Sequence, residues 1–231
     1  MRLRFVLGWR RFFFEEPYPF SLDDVESRDD TDTQVEFLTT LFGGCQTIID
    51  LGCGLGRHAC RLSARGLTVI GVDAAPKPNG LNFRYVKSDL SQIPCESESA
   101  DALYSMYSSL DYDRDISKQL REWSRIAKPK AILVIDLANR GSRLKLARDS
   151  FEGGKGRMIS LRFRERRYQC NLSRRWNVIS VHSFSYPEPR LPWMLTALAE
   201  AGWHNQSVFG DFDFSAYTTK SPRLIVVACR R

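Results

Sequence analysis

The sequence predicts an α/β fold built on a mostly parallel sheet, and three observations carry that prediction. Between residues 46 and 139, short apolar strand-like runs alternate with helix-like stretches. Alternation of this kind requires crossover connections and therefore parallel strands. The runs "TIID", "VIGVD" and "AILVID" are apolar almost throughout, as suits a sheet covered on both faces. The two last runs, at 203–210 and 222–229, are joined by "DFDFSAYTTKSP", a connection without a helix, so that pair is predicted to be an antiparallel hairpin.

The elements follow in order. Residues 33–42, "TQVEFLTTLF", read as a helix with Thr33 and Glu36 as a capping box, Val35, Leu38 and Phe42 on one face, and Gly43-Gly44 as its stop. Residues 46–50 form a short buried strand. A helix spans 57–65 and stops at Gly66. Strands follow at 67–73, 82–89 and 100–107. The connection "AAPKPNG" between the first two of these is too short and too rich in Pro and Gly for a full helix, so one crossover is abbreviated. A helix over 113–127 places Ile116, Leu120, Trp123 and Ile126 on one stripe, and 131–139 is a strongly apolar strand. Residues 157–186 then alternate polar and apolar, as two or three antiparallel strands would. "LPWMLTALAEAG" is a helix with Pro192 in its first turn and Gly202 at its end. The organisation is a single domain over 1–231, with an N-terminal arm, 1–32, and a small antiparallel β insertion, 141–189, that reads as a substrate lid.

Composition bounds the function. The 231 residues are 43% hydrophobic, enough for a sizeable core, with a formal net charge of +7. A basic surface is compatible with an acidic small substrate, with nucleic acid or with a solvated face of no particular role. Six scattered cysteines include no CxxC pair, and His58 with Cys60 lacks the rest of a zinc ligand set, so no metal is expected. Arg10-Arg11 resembles a twin-arginine signal, but Glu15-Glu16 cuts the following "FFF" short. Neither a signal peptide nor a membrane span is expected, and reduced thiols in the cytoplasm are the default.

The chemistry concentrates in "IIDLGCGLGRHA". A strand ends in Asp50, Gly52, Gly54 and Gly56 follow at alternate positions, and a helix begins. Such a loop lets a ligand approach the backbone closely. "GLGRHA" also satisfies the G-x-G-x-x-A pattern of nicotinamide-dinucleotide enzymes, which keeps an NAD(P)-dependent oxidoreductase as an alternative. Against it, a carboxylate at Asp50 would repel a pyrophosphate but suits an ammonium group. Asp73 ends the second strand, 21 residues after Gly52, where it can accept from both ribose hydroxyls of either cofactor. Asp89 follows the third strand and can accept from an adenine amino group. Each acid also has a bland reading as a cap or turn residue.

"IIDLGCGLGRHACRLSARGLTVIGVD", "YVKSDL", "REWSRIAKPKAILVIDLANR" and "GDFDFSAYTTKSPRLIVVACR" resemble, in order, the motifs of class I S-adenosylmethionine-dependent methyltransferases. The resemblance implies a Rossmann-like seven-stranded sheet whose last strand is antiparallel, and S-adenosylmethionine as cofactor. It implies that Gly52, Gly54 and Gly56, with Cys53, line the cofactor, that Asp50 lies near its amino group, that Asp73 with Ala74 binds the ribose, and that Asp89 and Leu90 frame the adenine. Ser105 and Met106 fall near the methionine end. Two departures are visible: the Pro-Gly-Gly turn usual before strand five is here "KPKA", and the second-helix region is shortened.

Methyl transfer from a sulfonium is an in-line displacement whose reagent is already activated, so the protein mostly supplies alignment and a dry pocket. An oxygen or nitrogen acceptor can need a base. His58, Tyr107 and Asp111, with Tyr18 from the arm and His182 from the insertion, are the residues in reach of the mouth. None is assigned as catalytic, and His58 reads equally as a positioned neutral side chain. Arg140 and the face shared by Arg162, Arg164 and Arg166 fit recognition of an acidic group or a solvated strand face. The expected activity is methylation of an N or O atom of a small molecule. RNA or protein is the alternative substrate class.

Overall fold

The computed structural model describes residues 31–106, 116–139, 149–153, 157–164, 167–174, 177–185 and 191–231. Helix α1 (Thr31–Leu41) buries Val35, Phe37 and Leu38. Thr33 lies inside this helix and is not its N-cap, so the expected capping box does not form there. Strand β1 (Thr47–Leu51) leads through the glycine loop into α2 (Arg57–Ala64), followed by β2 (Thr68–Asp73) and β3 (Arg84–Lys87). No helix occurs between β2 and β3, as "AAPKPNG" predicted. Strand β4 (Ala100–Ser105), helix α3 (Ile116–Ile126) and strand β5 (Ala127–Ala138) complete the first half. Helix α4 (Leu191–Glu200) and strands β10 (Trp203–Phe209) and β11 (Arg223–Arg230) close it.

The seven strands lie in the order β10-β11-β5-β4-β1-β2-β3. All neighbours from β5 to β3 are parallel, and β11 runs antiparallel to both β5 and β10. The predicted hairpin is therefore present, with β11 wedged between β5 and β10. One face of the sheet packs under α1 and α2 through Val35, Leu38, Ile48, Leu62, Tyr104 and Val227. The other packs under α3 and α4 through Leu51, Leu103, Trp123, Leu133, Met194 and Trp203. Glu122 on α3 accepts the Ile93 N–H at 2.7 Å. Arg125 donates to the Ile93 and Cys95 carbonyls at 2.9 Å each, which ties α3 to the segment entering β4.

Strand β5 begins four residues earlier than predicted. Its pairing with β4 is interrupted between Ala100↔Ala127 and Ala102↔Ile132, and the extra residues are taken up where Lys130 adopts φ 67°. This is the "KPKA" turn, and a lysine there stands in a backbone region that glycine prefers.

The insertion is a four-stranded antiparallel sheet, β6 (Asp149–Gly153), β7 (Arg157–Arg164), β8 (Arg167–Arg174) and β9 (Asn177–Ser185). Strand β6 is additional to the predicted set; "DSFEG" carries little strand propensity and owes its place to pairing with β7. The register sets Ile159, Leu161 and Phe163 opposite Leu172, Cys170 and Tyr168, and Arg162 and Arg164 opposite Gln169 and Arg167. One face is thus apolar in sequence and the other polar. His182 pairs with Cys170 and so belongs to the apolar face. Arg166 lies outside the described residues.

Candidate functional site

The parallel strands bring their C-terminal ends to one edge of the sheet, the edge where open α/β sheets bind ligands. Asp50 sits in one row of the sheet with Gly71 on β2 and Tyr104 on β4. Its carboxylate is 2% exposed, and Oδ2 has no hydrogen-bond partner. Burial, with the nearby Asp73 charge adding to it, pushes this acid up to about 7, against the pull of the Tyr104 hydroxyl and of Arg57. A buried carboxylate oxygen without a donor is costly, and a cationic ligand group is what would offset that cost.

The loop after β1 continues the β2 ladder, with Gly52 and Cys53 both donating to the Val72 carbonyl (2.8 and 3.1 Å). Asp73, at the end of β2, accepts the Gly54 N–H at Oδ2 (2.7 Å) and the Ala75 N–H at Oδ1 (2.9 Å). Burial raises its pKa, and these backbone donors oppose the rise. Each carboxylate oxygen has a second lone pair, so acceptor capacity for a diol remains. Ala74 is exposed beside it.

Gly52, Gly54 and Gly56 all have positive φ, and Gly54 and Gly56 have different physical reasons for being glycine. A Cβ on Gly54 would meet nothing within 4 Å, so its backbone faces open space. A Cβ on Gly56 would lie 2.5 Å from the Phe83 ring, so Gly56 is required by packing against the segment before β3. Gly71 is held by the same ring and by the Cys53 thiol. Cys53 is itself buried, and burial pushes its thiol up.

Asp89 is exposed, and its Oδ1 accepts the Ser91 N–H at 2.8 Å, the turn-capping arrangement open to it from sequence. Ser88, just before it, donates its N–H to the Asp73 carbonyl at 2.9 Å, which sets the two acids side by side along the edge. Leu90 is partly buried and its carbonyl accepts from Trp123 Nε1 at 3.0 Å. Ser105 is buried with an unpaired Oγ, and Met106 is buried next to Tyr104 in the core under α1 and α2.

His58 is placed differently from a residue at the mouth. It is 5% exposed, and its Nε2 lies 2.7 Å from Gln34 Oε1. Burial, with Arg57, Arg61 and Arg223 adding to it, holds the imidazole neutral. It belongs to the seam between α1 and α2, along with Arg57–Thr31 (3.0 Å) and Arg61–Asp32 (2.8 Å). A base proposed at this position would therefore have to leave a buried hydrogen bond. Tyr18, Tyr107, Asp111 and Arg140 lie outside the described residues, and His182 is placed by its β9 register alone.

Sequence reasoning missed the buried ion pair of Asp136 on β5 with Arg223 on β11, in which Nη2 lies 2.5 Å from Oδ2. Arg223 also lies over the Phe212 ring at 5.4 Å. The two residues are 87 positions apart, and no local pattern links them. Tyr104 was missed too, because a tyrosine inside an apolar strand reads as core. Among the described residues no His, Cys, Asp or Glu group could hold a metal, and no helix is long and apolar enough to cross a membrane.

Residues 49–135 match the model of the methyltransferase domain family. No curated protein matches the chain in sequence. The CcbJ methyltransferase from Streptomyces caelestis superposes with a TM-score of 0.71 at 16% identity, covering 87% of this chain and 89% of that one. The sugar N-methyltransferase KedS8 from Streptoalloteichus sp ATCC 53650 gives 0.67 at 20% identity, covering 92% and 94%. The Burkholderia thailandensis 1,6-didemethyltoxoflavin-N1-methyltransferase, solved with S-adenosylhomocysteine, gives 0.56 at 14%, covering 90% and 81%. The fold is that of these methyltransferases, and residues 49–135 carry the match to the methyltransferase domain. The antiparallel β11 also departs from the six-stranded parallel order of nicotinamide-binding domains.

The residues present suit S-adenosylmethionine. Gly54 leaves backbone open to a ligand, Asp73 retains lone pairs for a ribose, and Asp50 offers a buried, unpartnered carboxylate oxygen to an ammonium group.

Proposed function

We propose that the chain transfers a methyl group from S-adenosylmethionine to a nitrogen or oxygen atom of a small molecule. The observation that carries the cofactor half is the convergence of Asp50, Asp73 and the open backbone at Gly54 on one strand-end edge. The small-molecule half draws support from similar structures named for such acceptors, a sugar N-methyltransferase among them. When bound, the cofactor supplies an activated methyl on a cationic sulfur. The chain contributes alignment along the displacement axis and exclusion of water. Asp50 would hold the ammonium of the methionine moiety and Asp73 the ribose, with Asp89 and Leu90 beside the base. No side chain is assigned as general base, and His58 is committed to Gln34.

The arginine-bearing face of the insertion, with Arg162, Arg164 and Arg167 in register, favours an acceptor with an acidic group. The same face supports RNA as a second reading. The test is incorporation of labelled methyl from the cofactor into a metabolite extract, total RNA and denatured protein in parallel. Label in the small-molecule fraction supports the proposal. Label confined to RNA or protein overturns its acceptor. Calorimetry showing binding of NADH and none of S-adenosylhomocysteine overturns its cofactor.

A further inference from the structure

The side chains under the glycine loop include two oxygens with unspent hydrogen-bonding capacity. Asp50 Oδ2 and Tyr104 Oη are both buried and neither has a hydrogen-bond partner. The two residues are Cα partners in the β1–β4 ladder. Neighbouring residues in register project from the same face of the sheet, about 4.8 Å apart in the pairing direction. A phenol offers one donor and an ionised carboxylate accepts only, so the two groups are chemically matched.

The phenol is also fixed in place. The His58 ring meets the Tyr104 ring edge-on with centroids 6.3 Å apart, and His58 is itself held by Gln34. Phe42 lies against it at 6.0 Å. Tyr104 is 0% exposed, so its hydroxyl has no route to solvent.

Resting on the cofactor reading above, we propose that Tyr104 is the positioning residue of the cofactor acid: when the ammonium of the methionine moiety draws on the Asp50 carboxylate, the phenol, unpaired in this structure, donates to that carboxylate and leaves its other lone pairs to the ammonium. Tyr104 makes no contact with the reacting atoms in this role. The groups bearing on Asp50 are Tyr104 from β4, Asp73 from β2, Arg57 from α2 and Cys53 from the loop; Cys60 on α2 bears on Tyr104. Burial and Asp73 push the Asp50 acid up, and Tyr104 and Arg57 pull it down. Removing the phenol therefore moves Asp50 titration, and with it the acid limb of cofactor binding, to higher pH.

The test is calorimetry of Tyr104→Phe against the unmodified chain, with S-adenosylhomocysteine and with adenosine, from about pH 6 to about pH 9, the range around the displaced acid. Adenosine lacks the amino-acid end and reports the ribose and base contacts alone. The expected result is a loss of about tenfold for S-adenosylhomocysteine near neutral pH, the size of one charge-assisted hydrogen bond, with adenosine unchanged. The acid limb is expected to move upward in pH. In the background of Asp50→Asn, adding Tyr104→Phe is expected to cost nothing more. Equal losses for both ligands, or an unshifted pH profile, overturn the positioning role. Binding of neither ligand to the unmodified chain overturns the cofactor reading itself, and the inference with it. Tyr104→Met, similar in length and without the donor, is the parallel variant if the phenylalanine form does not fold.

Discussion

Asp73 holds the loop that it faces: its Oδ2 accepts the Gly54 N–H at 2.7 Å across 19 residues of sequence. Loop shape and ribose recognition therefore depend on one side chain. Asp73→Ala is expected to weaken S-adenosylhomocysteine and adenosine alike, by about tenfold or more, since both present the same diol. Circular dichroism should show the fold intact. Calorimetry showing an unchanged adenosine affinity would place the ribose elsewhere.

Gly54 and Gly56 are expected to respond differently to the same substitution. Gly54→Ala adds a methyl where nothing lies within 4 Å, at φ 52°, so its stability cost is confined to backbone strain, roughly 1–2 kcal/mol, while cofactor binding is lost. Gly56→Ala drives a methyl into the Phe83 ring at φ 82°, and overpacking adds about 1–3 kcal/mol to a comparable strain. Phe83→Ala in the Gly56→Ala background should recover part of the urea midpoint. It should recover nothing for Gly54→Ala.

Asp50 works for the ligand against the fold. Its folded-state acid is pushed up to about 7, above its ordinary value. A raised carboxylate contributes stability that is fully present below the unfolded pKa of about 4 and is lost as pH rises through about 7. Asp50→Asn has no such titration. Above pH 7 it is expected to be more stable than the unmodified chain by on the order of a few kcal/mol, while binding of S-adenosylhomocysteine falls. Urea unfolding at about pH 5 and about pH 8 measures the slope. Parallel slopes for the two proteins would show that Asp50 carries no buried-charge penalty.

Lys130 occupies φ 67° at the exposed irregularity near the start of β5. Relief of left-handed strain exceeds the entropy that glycine gains in the unfolded chain, so Lys130→Gly should stabilise by roughly 0.5–1 kcal/mol. In a chain of this size that raises Tm by roughly 2 °C, readable by scanning calorimetry.

Much of the fold was legible because its signals are local. The stops at Gly44, Gly66 and Gly202 all adopt the positive φ that their positions require. The strand-to-acid endings at Asp50 and Asp73 fall where the sheet presents its ligand edge. What was not legible depends on contacts between distant segments. Gly56 reads as a cofactor glycine in the motif, yet its constraint comes from Phe83, whose position only the β2–β3 pairing sets. His58 follows the loop directly, but the packing of α1 on α2 buries it against Gln34. Asp136 and Arg223 meet because β11 lies antiparallel to β5, with Ile225 opposite Asp136.

The placement of β11 has a consequence for synthesis. Among the described strands it is translated last, yet it lies inside the sheet, between two strands already made. Until β11 has emerged from the ribosome, β5 keeps an open edge of unpaired amides and carbonyls, the kind of edge that recruits other chains. Burial of Leu224, Val226 and Ala228 must wait for the same moment. The nascent polypeptide is thus prone to self-association in the interval just before β11 emerges, and chaperone demand should rise there.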